Sequence, residues 1–337
     1  FDYNFNAKLN NKFINGYKKL IFSNYELNGK LFQHYGNPNI FYCHFENNAY
    51  TDYGITYKAS KFNQDVSVLP QGLTCLFFGN CFNRDVSKLP SGLTYLFFGN
   101  CFNQDVSKLP SSITHLIFGS RFNKDVSFLP SRLKYLTFGY CFNQDVSILP
   151  QGLTYLFFGT LFNQDVSNLP SNITHLIFRS YFNKDISFLP SSLKYLALGH
   201  NFNQKVSFLP SSLEHLIIGE NFNQQIIFNS NIKYLKLYSN NLHIINSLPN
   251  SIEELELGEY FNLQVDNLPT SIKKLKFTNN NYNMDLNCLP DFIEELCLNR
   301  CYIKRIMHIP RNLKKIVCHE NYPYKNDFVM CDVETYE

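Results

Sequence analysis

The sequence has no tryptophan, and only 17% of its 337 residues are charged. Thirty basic and 27 acidic residues leave a net charge of +3 with no single-sign stripe, which argues against a nucleic-acid partner. No apolar run approaches the roughly 20 residues that cross a bilayer, so no membrane association is expected. The first residues, Phe1-Asp2-Tyr3-Asn4, lack the basic-then-apolar pattern of a secretory signal, and the chain starts without Met. The sequon Asn172-Ile173-Thr174 is therefore expected to go unused. Ten cysteines follow no paired framework, and Cys81, Cys101 and Cys141 instead share one repeat column. Together these absences read as a reduced, intracellular protein. No nucleophile has a distinctive setting, and there is no Gly-rich phosphate loop or paired-carboxylate cleft. The reading is accordingly not an enzyme, with no cofactor.

What the chain does have is a period. Phe62, Phe82, Phe102, Phe122, Phe142, Phe162, Phe182, Phe202 and Phe222 fall twenty apart, and Leu76 through Leu216 keep the same step, as do Pro70 through Pro210. Such self-similarity marks a solenoid, whose units bury their apolar faces only by stacking. In one unit, Leu93-Thr-Tyr-Leu-Phe-Phe98 is aromatic-rich and too short for a helix, so it reads as a strand that Gly99-Asn100 ends. Pro90 has no N–H for a ladder and belongs to the opposite limb. The fold class is therefore an all-β-rich solenoid of stacked coils, with one parallel β-sheet and irregular return limbs. Leu235, Leu255, Leu275, Leu296 and Ile316 carry the frame onward, giving thirteen coil starts through Asn241, Phe261, Tyr282 and Tyr302. Residues 1–61 hold degenerate echoes (Lys18–Tyr25, Ile55–Phe62) expected to form atypical coils and a cap. Residues 62–321 form the solenoid, and residues 322–337 a C-terminal cap or tail.

The unit Phe-Asn-(Gln/Lys)-Asp-Val-Ser-x-Leu-Pro-x-x-Leu-x-x-Leu-x-Phe-Gly resembles the FNIP, or IP22, repeat of social amoebae and giant DNA viruses. It is also similar to short leucine-rich repeats carrying Leu-Pro-x-x-Leu-x-x-Leu. At the Asn/Cys position of such repeats stand Cys81, Cys101, Cys141, Asn201, Asn221, Asn240, Asn281, Cys301 and Asn321, interrupted by Arg121, Leu161, Tyr181 and Tyr260. Many members of the family carry an F-box before the repeats. The resemblance thus implies the substrate-recognition arm of a ubiquitin ligase, with adaptor contacts outside this chain, in the cytoplasm (the host's, if viral). Residues 1–61 show no F-box pattern.

The C-terminal strands say which sheet face is wet. Lys233-Tyr-Leu-Lys236, Glu253-Glu-Leu-Glu256, Lys273-Lys-Leu-Lys276, Glu294-Glu-Leu296 and Lys314-Lys-Ile316 flip sign with every coil. Opposite charges about 4.8 Å apart stabilise neighbouring strands, and such heads need water. Residues flanking the Leu column then point outward. In the earlier coils these are Tyr95, His115, Tyr135, Tyr155, His175, Tyr195 and His215 on one side, and Phe97, Ile117, Phe157, Ile177 and Ile217 on the other. They predict an exposed strip of about 400–500 Å² that binds a protein partner. The alternatives are stacked rings that serve only the sheet and a strip that packs a structural protein on a copy of itself.

Other constellations are weaker. His115, His175 and His215 sit two or three coils apart, about 10–14 Å, too far for one metal ion. Cys297 and Cys318-His319 fall on opposite parities, which disfavours a tetrahedral zinc site with Cys301. Asp65, Asp85, Asp105, Asp125, Asp145, Asp165 and Asp185, beside Asn63 through Asn183, make a stacked array of the kind that can bind calcium. Local Asx-type bonds to turn N–H groups account for the same column.

Overall fold

The computed structural model describes residues 18–21, 45–46, 49–52, 55–57 and 61–337. Most of the N-terminal segment read as echo coils lies outside them. The chain divides into two compact units, Phe1–Gln164 with Asn168–Pro170, and Asp165–Ser167 with Ser171–Glu337.

In the first unit, β1 (Lys19–Ile21) precedes a three-stranded antiparallel sheet of β2 (Phe45–Glu46), β3 (Ala49–Asp52) and β4 (Ile55–Tyr57). Ile55–Tyr57 is thus a strand of this small sheet and not the opening of a coil, a difference from the sequence reading. β1 does join the solenoid, pairing in parallel with β5 (Cys75–Phe77) through Leu20 and Leu76. β6 (Tyr95–Phe97), β7 (His115–Ile117), β8 (Tyr135–Thr137) and β9 (Tyr155–Phe157) follow in chain order, each parallel to the last and offset by one coil. Each strand is three residues long because the Leu-Pro corner and the Gly joint hold both ends. The carbonyl of Pro90 accepts from Leu93 N–H at 3.3 Å, and its equivalents close the same turn in each coil.

The interior is built from the repeated columns. Phe62, Leu76, Phe82, Leu96, Phe102 and Phe122 are fully buried. Each Phe of the strand end lies flat on the Phe that opens the following coil, as in Phe78–Phe82 and Phe98–Phe102, both at 3.7 Å. Successive column rings, such as Phe82 and Phe102, stack 6.1 Å apart. Each coil from Phe62 to Phe158 therefore contributes two rings and several aliphatic side chains to a continuous core, and no coil closes that core alone.

Two backbone devices fix coil on coil, and a third sets the turn within each coil. Gly99, Gly119, Gly139 and Gly159 leave no room for a side chain, since a Cβ on each would fall inside the carbonyl of the glycine one coil earlier. The glycine that ends the strand is thus also a tight joint between coils. Asn83, Asn103, Asn123, Asn143 and Asn163 form a ladder, each backbone N–H donating to Oδ1 of the preceding Asn at 2.9–3.0 Å. Finally, Asp65, Asp85, Asp105, Asp125 and Asp145 each accept from the backbone N–H and the hydroxyl of the Ser two residues on. Those bonds to Ser hold the carboxyls of Asp65, Asp85, Asp105, Asp125 and Asp145 below their ordinary range, which is the Asx reading of the column.

The second unit repeats this plan with β10 (His175–Ile177), β11 (Tyr195–Ala197), β12 (His215–Ile218), β13 (Tyr234–Leu237), β14 (Glu254–Leu257), β15 (Lys274–Phe277), β16 (Glu295–Cys297), β17 (Lys315–His319) and β18 (Asp332–Tyr336), all parallel. β18 shows that the segment after Tyr322 adds a strand to the sheet. A single helical turn, Leu242–Ile245, interrupts one return limb. Asn241 makes it by capping His243 N–H with its carbonyl oxygen while its amide donates to Phe222 and Gln224 carbonyls. Among the described residues, no helix is long and apolar enough to cross a membrane.

Candidate functional site: the outer face of the sheet

The strand parity read from the charged coils holds. In each of β5 to β9 the central Leu is fully buried and its neighbours face the other way. The openness of that outer face does not hold. Tyr95, Phe97, His115, Tyr135 and Phe157 are half-buried, whereas Ile117 (5% exposed) and Tyr155 (3%) are buried.

The reason is lateral packing. Tyr95 and His115 stack at 4.3 Å, His115 and Tyr135 at 4.3 Å, and Tyr135 leans on Tyr155 at 5.9 Å. On the other side of the Leu column, Phe77 and Phe97 stack at 4.2 Å. Parallel in-register strands bring like residues within one ring thickness, so each ring covers the next. Between Phe97 and Phe157 the smaller Ile117 and Thr137 leave a shallow dimple walled by His115, Tyr135 and Tyr155. The imidazole of His115 shares a hydrogen with Thr114 Oγ1 at 2.8 Å through Nδ1. Burial lowers its pKa to about 4, so the ring is neutral at neutral pH.

In the second unit, Tyr195 and Ile217 are half-buried, Ile177 is buried at 7% exposure, and His215 is exposed. The rings of His175 and Tyr195 are 5.8 Å apart, and those of Tyr195 and His215 6.0 Å. Burial lowers the pKa of both histidines. After His215 the row passes to charge. Lys236 meets Glu256 at 2.6 Å, Lys276 meets Glu256 at 3.5 Å, and Lys274 bridges Glu254 (3.7 Å) and Glu295 (3.4 Å). Lys314–Glu294 and Lys315–Glu334, both at 2.6 Å, extend the ladder. The sign alternation in the sequence is thus a real cross-strand network. Its centre is drier than the alternation implies, because Glu256 is only 7% exposed. Burial opposes ionisation of Glu256, but the bond to Lys236 and its charge prevail and lower the pKa.

The sequence reading missed a second set of exposed apolar side chains on the return limbs. Phe128 (69% exposed) and Ile148 (65%) stand there in the first unit, and Phe188 (69%), Phe208 (62%) and Ile227 (75%) in the second. For Phe128, Ile148, Phe188 and Phe208 the signal was in the x position of Ser-x-Leu-Pro, where other coils carry Lys88, Lys108 or Asn168, whereas Ile227 takes the place of the Ser. Of the weaker metal candidates, Cys297 is engaged otherwise: its Sγ donates to Glu295 at 3.5 Å.

The affiliation of the coils follows from the repeat itself. The FNIP Repeat model matches eight overlapping or adjoining stretches that together run from residue 82 to 301. The chain belongs to the FNIP repeat family. The FNIP coils are similar to a solved structure described as a novel circular LRR protein, CroV588, with 36% identity and a TM-score of 0.68 over 78% of this chain. That alignment takes in 43% of CroV588, so this chain spans less than half of that protein's length. The functional domain of InlJ from Listeria monocytogenes, described as including a cysteine ladder, is 17% identical with a TM-score of 0.49, covering 77% of this chain and 66% of that one. YopM from Yersinia enterocolitica is 19% identical with a TM-score of 0.30, covering 74% of each chain. No curated protein sequence matches this one. The FNIP and leucine-rich-repeat likeness accords with a scaffold built from coils.

Proposed function

We propose that this FNIP solenoid is a protein-binding scaffold and that the aromatic outer face of its sheet is the docking surface. The observation that carries the reading is the row Tyr95–His115–Tyr135, three half-buried rings in stacking contact. Rings fixed by their neighbours lose little side-chain entropy when a partner covers them, which is what aromatic anchors at interfaces exploit. Around them Phe97 and Phe157 supply apolar area, and Ile117 and Tyr155 act as the floor. In the second unit Tyr195, His215 and Ile217 offer the same chemistry, with His175 beside them and Ile177 beneath.

The finer reading is that the partner is a protein destined for ubiquitylation, delivered to a ligase through an adaptor region outside this chain. It rests on the family habit of joining these repeats to an F-box. The test compares captured proteins for the intact chain, for Tyr95→Ser with Phe97→Ser, and for Phe128→Ser on the return limb. Partners kept by the last variant and lost by the first support the outer face. Equal capture by all three refutes it. Sedimentation at rising concentration separates a receptor from a self-associating structural protein, since only the second gains mass.

A further inference from the structure

Cys81 and Cys101 occupy the same position of consecutive coils, just before Phe82 and Phe102. The coils are locked in register at this point, because Cys101 N–H donates to the carbonyl of Asn80 at 2.9 Å. The rings of Phe82 and Phe102, the next residues along, stack 6.1 Å apart and so gauge the coil spacing there. Disulfide-linked residues typically have Cα atoms about 4.4–6.8 Å apart, so this spacing lies within reach. Cys81 is exposed and Cys101 half-buried, and both are reduced. Cys141, in the same column, is two coils from Cys101 with Arg121 between them, beyond the limit of about 7 Å for a bridge without backbone movement.

We infer that Cys81 and Cys101 are a redox modification site, a pair of adjacent-coil thiols that a small-molecule disulfide converts to a staple between two coils. With oxidised glutathione as the oxidant the chemistry balances. The Cys81 thiolate attacks one glutathione sulfur, forming a mixed disulfide and releasing one glutathione thiolate. The Cys101 thiolate then attacks Cys81 Sγ, forming the Cys81–Cys101 bond and expelling the second glutathione. The two cysteines lose two electrons and two protons, and glutathione disulfide gains them. Burial and the neighbouring Cys101 hold the Cys81 thiol above its ordinary pKa, against a weaker pull from Lys61. Cys81 is accordingly slow to react at neutral pH, and a mildly alkaline buffer is the condition for the test.

The experiment treats the whole chain with oxidised glutathione and maps its peptides without reduction by mass spectrometry. A linked Cys81–Cys101 peptide pair is expected in the unaltered chain and in Cys141→Ser, reversed by a dithiol reductant. In Cys101→Ser it is replaced by glutathione attached to Cys81. Hydrogen exchange in Tyr95–Phe97 slows on oxidation of the unaltered chain and does not change in Cys101→Ser. Glutathione attached separately to both cysteines with no link, or a link to Cys141 in its place, overturns the inference.

Discussion

The hydroxyl of Tyr234 donates to the carboxylate of Glu256 on the next strand at 3.2 Å, the same carboxylate that Lys236 reaches at 2.6 Å. One acid thus gathers a phenol and two ammonium groups at the driest point of the charged face, with Lys276 the second of these at 3.5 Å. Removing it strands all three. Glu256→Ala is expected to cost about 3 kcal/mol, the low end for losing one partner of a buried pair because Lys236 is partly exposed. Glu253→Ala, whose pair with Lys273 is half-exposed on both sides, is expected to cost less than about 1 kcal/mol. Urea unfolding of the two variants measures the contrast.

The same carboxylate sets a pH dependence. Its pKa is lower folded than unfolded, so its contribution is complete above the unfolded value and disappears as pH falls through the folded one. Acid titration of stability should therefore lose a component in Glu256→Gln below about pH 4.

His115 acts over a different window. Its folded pKa of about 4 lies below the ordinary 6.5, so the unfolded chain takes up the proton first. Stability that rests on the neutral ring is fully present above about pH 6.5 and is lost as pH falls toward the folded value. His115→Gln is expected to flatten the stability profile of the first unit between those limits. NMR titration of the imidazole in the folded protein reads the pKa directly.

The Asn ladder predicts a local effect with a directional signature. Oδ1 of Asn123 accepts both Asn143 N–H and the Gln144 amide at 2.9 Å. Asn123→Ala should cost about 1–3 kcal/mol by leaving that N–H without its acceptor. Hydrogen exchange should quicken at Asn143, whose acceptor is gone, and less at Asn103, whose own N–H partner Asn83 is untouched.

Two further substitutions bracket what a coil tolerates. Gly119→Ala drives a Cβ into the Gly99 carbonyl and is expected to destabilise by about 3 kcal/mol, the upper end for overpacking. Phe128→Ser, on a side chain 69% exposed, should stay within about 0.5 kcal/mol of the unaltered chain. Thermal unfolding of both checks the range.

The period, the buried Leu column and the parity of the sheet faces were all legible in the sequence. Each depends only on which residue types recur at which offset, and Leu76 and Leu96 could hardly be placed otherwise. The charge ladder was legible for the same reason. What escaped was whatever depends on the distance between coils. Asn63 and Asn83 look like two polar turn residues until the stack sets Oδ1 of one against the N–H of the other. Gly99 looks like an open backbone until the Gly79 carbonyl fills the space where a side chain would go. Tyr155 and Ile117 point outward as expected, yet stacking buries them, because ring contacts along the column are a property of neighbours and not of either residue. The turn at Leu242–Ile245 was also hidden, since its cap works by reaching back to Phe222 and Gln224.

The Asn ladder also gives the first unit a direction in time. From Asn83 to Asn163 the backbone donor always belongs to the later coil and the waiting acceptor to the earlier one. On a ribosome, which delivers the earlier coil first, each acceptor of the ladder is made before its donor. The strand ends run the other way, Phe78 N–H donating forward to the Phe97 carbonyl and Phe98 N–H to that of Ile117, so neighbouring coils are stitched in both directions and a slip of one residue would break both rows at once.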